Sequence, residues 1–353
     1  MRLISLQRAK EGDVLAQSVF GVDGCLLLKE GVALNRKYIN KLIDLGIVYV
    51  YIEDGMLDDI KPEDPQFLEV KMEAVKSISG VFSKIQNTGC VDVKNTINAI
   101  TNIVEYLLEN KDISSIYLLE LKTFDNYTYV HSLNTCVLSL FYGVQMSYSK
   151  PMLMDLGAGA LLHDIGKTRI PIEILNKNGK LTDKEYDIMK THPELGYEMI
   201  KNLDYINARG KSIVLEHHER IDGNGYPYRL KGDKISKYAR IACISDVYDA
   251  IVSDRVYRKG FLANEAYEFI LANGGTFFDM DLVNIFRNNF SLYPLGACVK
   301  LTNGLEGFVV GHNKGFPDRP IVRIIYDKSH NKISPFEINL VDVIDISIES
   351  VII

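Results

Sequence analysis

The sequence predicts a mainly α chain, with a central helical domain flanked by a small N-terminal α+β domain and a small C-terminal β segment. Three observations predict it. Apolar residues recur at three- and four-residue steps through the middle of the chain. Apolar runs bounded by Asp-Gly or Asn-Gly turns gather at its two ends. At 353 residues the chain is longer than one typical core supports. The expected divisions are 1–57 (regulatory-type α+β domain), 58–110 (linker and helix pair), 111–290 (helical domain) and 291–353 (β subdomain).

Within 1–57, Val14-Leu15-Ala16 and Cys25-Leu26-Leu27-Leu28 read as strands around a turn at Asp23-Gly24. Asn35 is placed to cap a helix carrying Tyr38, Leu42 and Leu45, which Gly46 stops before a buried strand, Ile47 to Ile52. The unit holds no histidine and reads as structural or sensory. The polar, proline-broken stretch Asp58 to Pro65 reads as a linker.

Two helical patterns follow. One runs through Val75, Ile78, Phe82 and Ile85. The other runs through Val93, Ile97, Ile100, Val104 and Leu107, with Asp92 as N-cap. Packing on the neighbouring domain and a homodimer formed through residues 67–110 are both open readings. In the helical domain Pro151 suits a first helical residue. Asn178-Gly179 marks a turn, and Thr182 with Glu185 a capping box. At the C-terminal end, Ala297 to Leu301, a turn at Asn303-Gly304, Phe308 to Val310 and Ile321 to Tyr326 read as strands.

Composition narrows the function. A hydrophobic share of 47% with 24% charged residues is that of a globular protein. The formal net charge of -6 argues against a nucleic-acid polymer held along a basic face, but not against a small anion in a local cationic pocket. The five cysteines are scattered and form no C-x-x-C, as expected of free thiols in a reducing compartment. No signal-peptide pattern follows Met1-Arg2, and no apolar run approaches the ~20 residues that span a bilayer. A cytoplasmic protein without a membrane partner is expected.

The chemistry centres on Leu161-Leu162-His163-Asp164-Ile165-Gly166-Lys167. An adjacent His-Asp pair offers a neutral nitrogen and an anionic oxygen, so both can meet one metal or Asp164 can bridge two. Gly166 is expected to close the helix in a left-handed conformation, and Lys167 to set a cation just beyond. Five of the seven histidines lie between 131 and 218: His131, His163, His192, His217 and His218. With Asp164 and Asp246 they exceed the ligand set of one catalytic ion, so two are expected. Imidazole and carboxylate without thiolate suit divalent iron, manganese or zinc. Such a pair would hold a bridging hydroxide for in-line attack on phosphorus.

Asp222-Gly223 and Asn224-Gly225 predict tight turns with positive φ, from which Tyr226-Pro227 projects toward a substrate pocket. Glu219 and Asp222 are candidates for turn-fixing acceptors or for metal ligands. Asp246 and Asp249 share a helical face. Arg255 and Arg258 repeat that spacing, either to hold phosphate or guanine edges or as a salt-bridged surface. His312 and His330 fall in turn-like sequence.

Taken in order, His131, His163-Asp164 with Lys167, His192, His217-His218-Glu219, Asp222 to Pro227 and Asp246 resemble the bacterial HD-GYP family of the HD phosphohydrolase superfamily, over about residues 120–300. Residues 1–55 resemble, less closely, a small domain that often precedes it, and the C-terminal strands a tail common in the family. The resemblance implies hydrolysis of cyclic di-GMP to pGpG and in some members on to GMP. It implies His131, His163, Asp164, His192, His217, His218 and Asp246 as metal ligands, with Asp164 and Lys167 at the reacting phosphate. It implies Lys167, Asp249, Arg255, Arg258 and the loop Gly225-Tyr226-Pro227 as substrate contacts. Some members hold a third metal through a glutamate four residues before the first histidine. Here that residue is Tyr127, so two metals, iron or manganese, are expected unless Asp125 reaches in. Another substrate such as 3′,3′-cGAMP, or a receptor that binds cyclic di-GMP without turnover, are the alternatives.

Overall fold

The computed structural model describes residues 1–21, 23–60, 64–88, 94–110, 127–252 and 263–352. Cys90, Asp92, Val93, Asp125, Arg255 and Arg258 lie outside them. The fold is mainly α with a strand-rich C-terminal part, as expected, and it divides into two compact units.

The first unit gathers Met1–Leu68 with Phe286–Ile353. In its N-terminal part, β1 (Arg2–Ser5) pairs antiparallel with β4 (Tyr49–Ile52), Leu3 opposite Tyr51. β2 (Val19–Phe20) and β3 (Leu26–Leu28) form a short hairpin. The run Val14 to Ala16 makes only isolated bridges. Helix α1 (Arg36–Asp44) starts where Asn35 Oδ1 accepts from Tyr38 N at 2.9 Å. Its buried residues Ile39 and Leu42 join Leu6, Leu15, Leu34, Val50 and Ile52 in one core.

The C-terminal part is an antiparallel sheet ordered β8-β7-β6-β5-β9. Its strands are β5 (Cys298–Leu301), β6 (Glu306–Asn313), β7 (Phe316–Tyr326), β8 (Lys332–Asn339) and β9 (Ile348–Val351). Alternate residues Val299, Leu301, Val309, Val322 and Ile324 fill its core. His312 lies in β6, its Nε2 donating to Tyr293 O (2.7 Å), not in a turn, whereas His330 does sit in one.

The two chain ends, distant in sequence, share clusters in space. Leu3, Ala16 and Tyr51 pack with Ala297, and Leu57 and Ile60 pack with Phe308 and Ile325. Leu3 N bonds Gly296 O at 3.1 Å. Arg323 grips both oxygens of Asp59, at 2.8 and 2.7 Å, and donates to Met56 O.

The second unit gathers Glu69–Ile113 with Asp125–Ile285. Helices α2 (Pro65–Thr88) and α3 (Lys94–Glu109) realise the two periodic patterns. The face of α3 bearing Ile100, Val104 and Leu107 is buried, and α3 packs on α4 (Tyr127–Gln145) and α5 (Lys150–Leu162). Pro151 opens α5. Next come α6 (Ile172–Leu175), α7 (Asp183–Met189), α8 (His192–Ile200), α9 (Ala208–Glu216), α10 (Lys237–Val252), α11 (Ala263–Ala272) and α12 (Met280–Asn289). The Thr182–Glu185 capping box opens α7. α4 packs on α5 and α10, α5 on α9, and α8 on α9, which turns their ends toward one place.

Candidate metal centre

Three of the inward histidines sit where a helix begins or ends. His163 and His217 are the residues that close α5 and α9, His192 opens α8 just past α7, and His131 lies within α4. The last carbonyls of a helix have no partner in their own helix. Three imidazoles use them. Nδ1 of His163 donates to Ala160 O (2.7 Å), Nδ1 of His192 to Met189 O (2.8 Å), and Nδ1 of His217 to Ile213 O and Val214 O (both 3.1 Å). A carbonyl only accepts, so the proton is on Nδ1 and the Nε2 lone pair points inward.

His131 is held differently, between two carboxylates. Its Nδ1 meets Asp249 Oδ2 at 2.7 Å, and its Nε2 lies 3.0 Å from Asp246 Oδ1. Asp249, expected among the substrate contacts, is 2% exposed and spans His131 and Asn134, whose Nδ2 donates to Asp249 Oδ1 at 2.7 Å. Its carboxylate therefore stands behind a ring, not in an open pocket. Asn134 was not among the sequence expectations. Its signal is its spacing, three residues beyond His131 on the same helical face.

The inward atoms converge on Asp164. Oδ1 lies 3.3 Å from His192 Nε2 and 3.8 Å from His217 Nε2. Oδ2 lies 3.3 Å from His163 Nε2 and 3.8 Å from His131 Nε2. Lys167 Nζ reaches the same Oδ2 at 2.5 Å. His218 Nδ1 is 3.8 Å from Asp246 Oδ2. Two groups result, Asp164 with His192, His217 and His218, and Asp164 with His131 and His163; a third set, His163, His217 and Asp246, overlaps both.

The electrostatics fit cations. His192 and His217 bring two Nε2 acceptors to 3.3 Å with their Nδ1 protons already committed. Burial, then the neighbouring imidazoles, holds His217 well below its ordinary value and His218 down at about 3. His163 Nε2 and Asp164 Oδ1 are buried with no hydrogen-bond partner. Burial opposes ionisation of Asp164, but His163 and Lys167 beside it keep the carboxyl well below the usual range. Asp246 is kept low in the same way, by His131 above all. Lone pairs that face each other and two buried carboxylates are stabilised by divalent ions between them, and an imidazole and carboxylate donor set suits such ions.

Two glycines bring the segments together. A Cβ on Gly166 would stand 1.9 Å from His192 O and 2.5 Å from Gly196 N. Gly166 lies in a 3-10 turn, Ile165–Arg169, with φ outside the left-handed region. Close approach of α8, and not a left-handed cap, is what requires it. A Cβ on Gly225 would meet Arg220 N, Glu219 Cα and His218 O at 2.5 Å, because the loop folds back on the segment that follows α9 and Tyr226 N bonds His218 O. Gly225 also lacks the expected positive φ, which Gly223 has at 83°.

The loop's ring, Tyr226, stacks on His218 at 4.6 Å between centroids. Glu219 is not near the metal set. Its Oε1 accepts from Tyr228 N (2.7 Å) and its Oε2 from Leu230 N (2.9 Å). Arg229, between them, has φ 54°, which turns its amide toward the same carboxylate. Asp222 accepts from Asn224 N and from Arg220. Both are turn-fixing acceptors.

Comparison with known proteins agrees with this geometry. An HD domain model matches residues 117–282. A cyclic di-GMP phosphodiesterase of Pseudomonas aeruginosa is 35% identical over 253 residues, 72% of this chain and 61% of that protein. A cyclic di-GMP phosphodiesterase of Thermotoga maritima is 32% identical over 251 residues, 69% of this chain and 68% of that protein. The chain thus spans about three fifths of the length of the Pseudomonas relative. Among solved structures, an HDG"Y"P protein from Bdellovibrio bacteriovorus shares the fold, with a TM-score of 0.52 and 18% identity over 80% of this chain and 96% of that one. With the His-Asp pair, the paired histidines and the Gly-Tyr-Pro loop around one centre, the chain belongs to the HD-GYP family of the HD phosphohydrolase superfamily.

Proposed function

We propose that the protein is a metal-dependent phosphodiesterase that hydrolyses cyclic di-GMP to linear pGpG, in the cytoplasm, with the chemistry in residues 111–290. The observation that carries this reading is the division of Asp164. Oδ1 faces His192 and His217 while Oδ2 faces His163 and His131. That arrangement suits two divalent ions, iron or manganese, held by His131, His163, Asp164, His192, His217, His218 and Asp246. When bound, such ions supply Lewis acidity at phosphorus and make water acidic enough to act as hydroxide near neutral pH.

The chain's own groups supply the setting. Asp164 and Asp246 stay ionised, as ligands must. The helix-end carbonyls hold three rings in one tautomer, and Asp249 fixes the orientation of His131. Lys167, with 26% of its side chain exposed, carries a positive charge at the edge of the centre, where it offsets phosphate charge. Tyr226 stacks on the ring of His218. Names of the relatives point to the same substrate.

The test is elemental analysis of anaerobically purified protein, coupled to product analysis on cyclic di-GMP, 3′,3′-cGAMP and pGpG, with iron and manganese supplied separately. Metal-dependent release of pGpG or GMP supports the proposal. Tight binding of cyclic di-GMP without cleavage overturns it in favour of a receptor, and faster cleavage of 3′,3′-cGAMP replaces the substrate.

A further inference from the structure

The two groups of candidate ligands are not held alike. Asp164 with His192, His217 and His218 makes one, and Asp164 with His131 and His163 makes the other. In the first, His192 and His217 lean on main-chain carbonyls at helix ends. Those carbonyls belong to the backbone and cannot turn away. In the second, His163 leans the same way, on Ala160 O. His131 does not. Behind its ring stands a side chain, the carboxylate of Asp249 at 2.7 Å. A side-chain carboxylate has torsions of its own, the outer one broad. It orients a ring only as well as it is itself oriented.

Asn134 answers that need. It lies about one helical turn beyond His131 on α4 and is 3% exposed. Its Nδ2 donates to Asp249 Oδ1 at 2.7 Å, while His131 uses the other oxygen. A carboxylate only accepts, so Asp249 fixes which end of the amide faces it. The amide oxygen, Oδ1 of Asn134, is buried with no hydrogen-bond partner among the described residues. Burying a polar atom without a partner is unfavourable, and leucine of similar size would avoid it if packing were all that this position required. The contact with Asp249 is what an apolar residue could not supply.

We propose that Asn134 is a positioning residue for one of the two metal positions: it clamps Asp249, Asp249 fixes the ring of His131, and the position of His192, His217 and His218 does not depend on it. This rests on the two-ion reading above. One position then hangs on a relay of side chains, His131 to Asp249 to Asn134, whereas the rings of His192 and His217 at the other are fixed by backbone.

The test uses the full chain loaded with manganese, whose paramagnetic resonance spectrum differs between a coupled pair of ions and an isolated ion. The parent protein should bind two ions per chain and give the spectrum of a pair. Asn134→Leu should weaken one ion about 10- to 100-fold in competition with a chelator, leave the other little changed, and give the spectrum of an isolated ion. Thr135→Val removes a neighbouring buried hydroxyl that has no hydrogen-bond partner among the described residues, and should keep both ions and the spectrum of a pair. In an Asp249→Ala background Asn134→Leu should add little, because the group it acts through is gone. Where circular dichroism shows that Asn134→Leu does not fold, Asn134→Ala carries the same prediction. Unchanged affinity for both ions overturns the proposal, as does equal loss of both, or losses that add in the double variant. A parent protein that binds fewer than two ions brings down the two-ion reading and the proposal with it. Two ions in the parent without selective loss in Asn134→Leu bring down the proposal alone.

Discussion

His131 and Asp249 meet at 2.7 Å, Nδ1 to Oδ2, across the packed helices α4 and α10. The other Asp249 oxygen holds Asn134 one turn along α4. One carboxylate thus fixes a ring from behind and leaves Nε2 facing Asp246 at 3.0 Å. Such a partner sets the tautomer of a ligand and strengthens it as a base.

Asp249→Asn should therefore keep the fold and lose metal. An amide of the same shape still reaches His131 and Asn134, but it carries no charge. The expected fall in metal affinity is about 10- to 100-fold, read by competition against a chelator. Unchanged affinity would mean that the ring is held by packing alone.

Metal binding should also release a proton. Burial lowers the His131 value, but the carboxylates of Asp246 and Asp249 outweigh it and hold the imidazole at about 9, above its ordinary 6.5. In the metal-free protein the ring is therefore charged at neutral pH, whereas a ligand must be neutral. Affinity should rise with pH through the neutral range and level off above about pH 9. The check is proton release on metal addition in weakly buffered solution at pH 7.5 and pH 10, with the greater release at the lower pH. Asp249→Asn should shift the levelling-off point downward.

Much of the site was legible because ligand chemistry leaves few alternatives. An adjacent His-Asp pair, a His-His pair and an Asp on a helical face are rare enough together to be read without coordinates. Helix ends were legible from Asn35, Pro151 and Thr182, whose local preferences agree with the tertiary fold. Long-range approach was not. Gly166 and Gly225 look like turn residues in one dimension, but the backbones they admit belong to His192 and to Glu219–Arg220. Nor does any periodicity announce that Leu3 packs with Ala297, or that Arg323 meets Asp59. The Asp59–Arg323 contact joins residues 264 positions apart.

Glu219 gives a test of loop positioning. Its buried carboxylate serves the amides of Tyr228 and Leu230, and glutamine offers one acceptor oxygen where the carboxylate offers two. Glu219→Gln should leave one partly buried amide without its acceptor, a cost of about 1 kcal/mol. The unfolding midpoint in urea should fall accordingly. Bound metal should stay the same while KM rises, because the loop carrying Tyr226 loosens. Loss of metal in this variant would instead make Glu219 a ligand.

The Asp59–Arg323 pair predicts a pH dependence in the unit that joins the chain ends. The Arg323 guanidinium, bonded to both carboxylate oxygens, holds Asp59 at about 2, below its ordinary 3.8. A carboxyl lowered on folding contributes stability that is fully present above its unfolded value and is lost as pH falls through the folded one. Asp59 is 59% exposed at its side chain, so solvent screening limits the pair to about 1 kcal/mol. A double-mutant cycle with Arg323→Ala and Asp59→Asn should show that coupling at pH 6 and lose it by about pH 2, where Asp59 takes up its proton. Coupling of equal size at both pH values would show that neutral hydrogen bonds, not charge, tie Asp59 to Arg323.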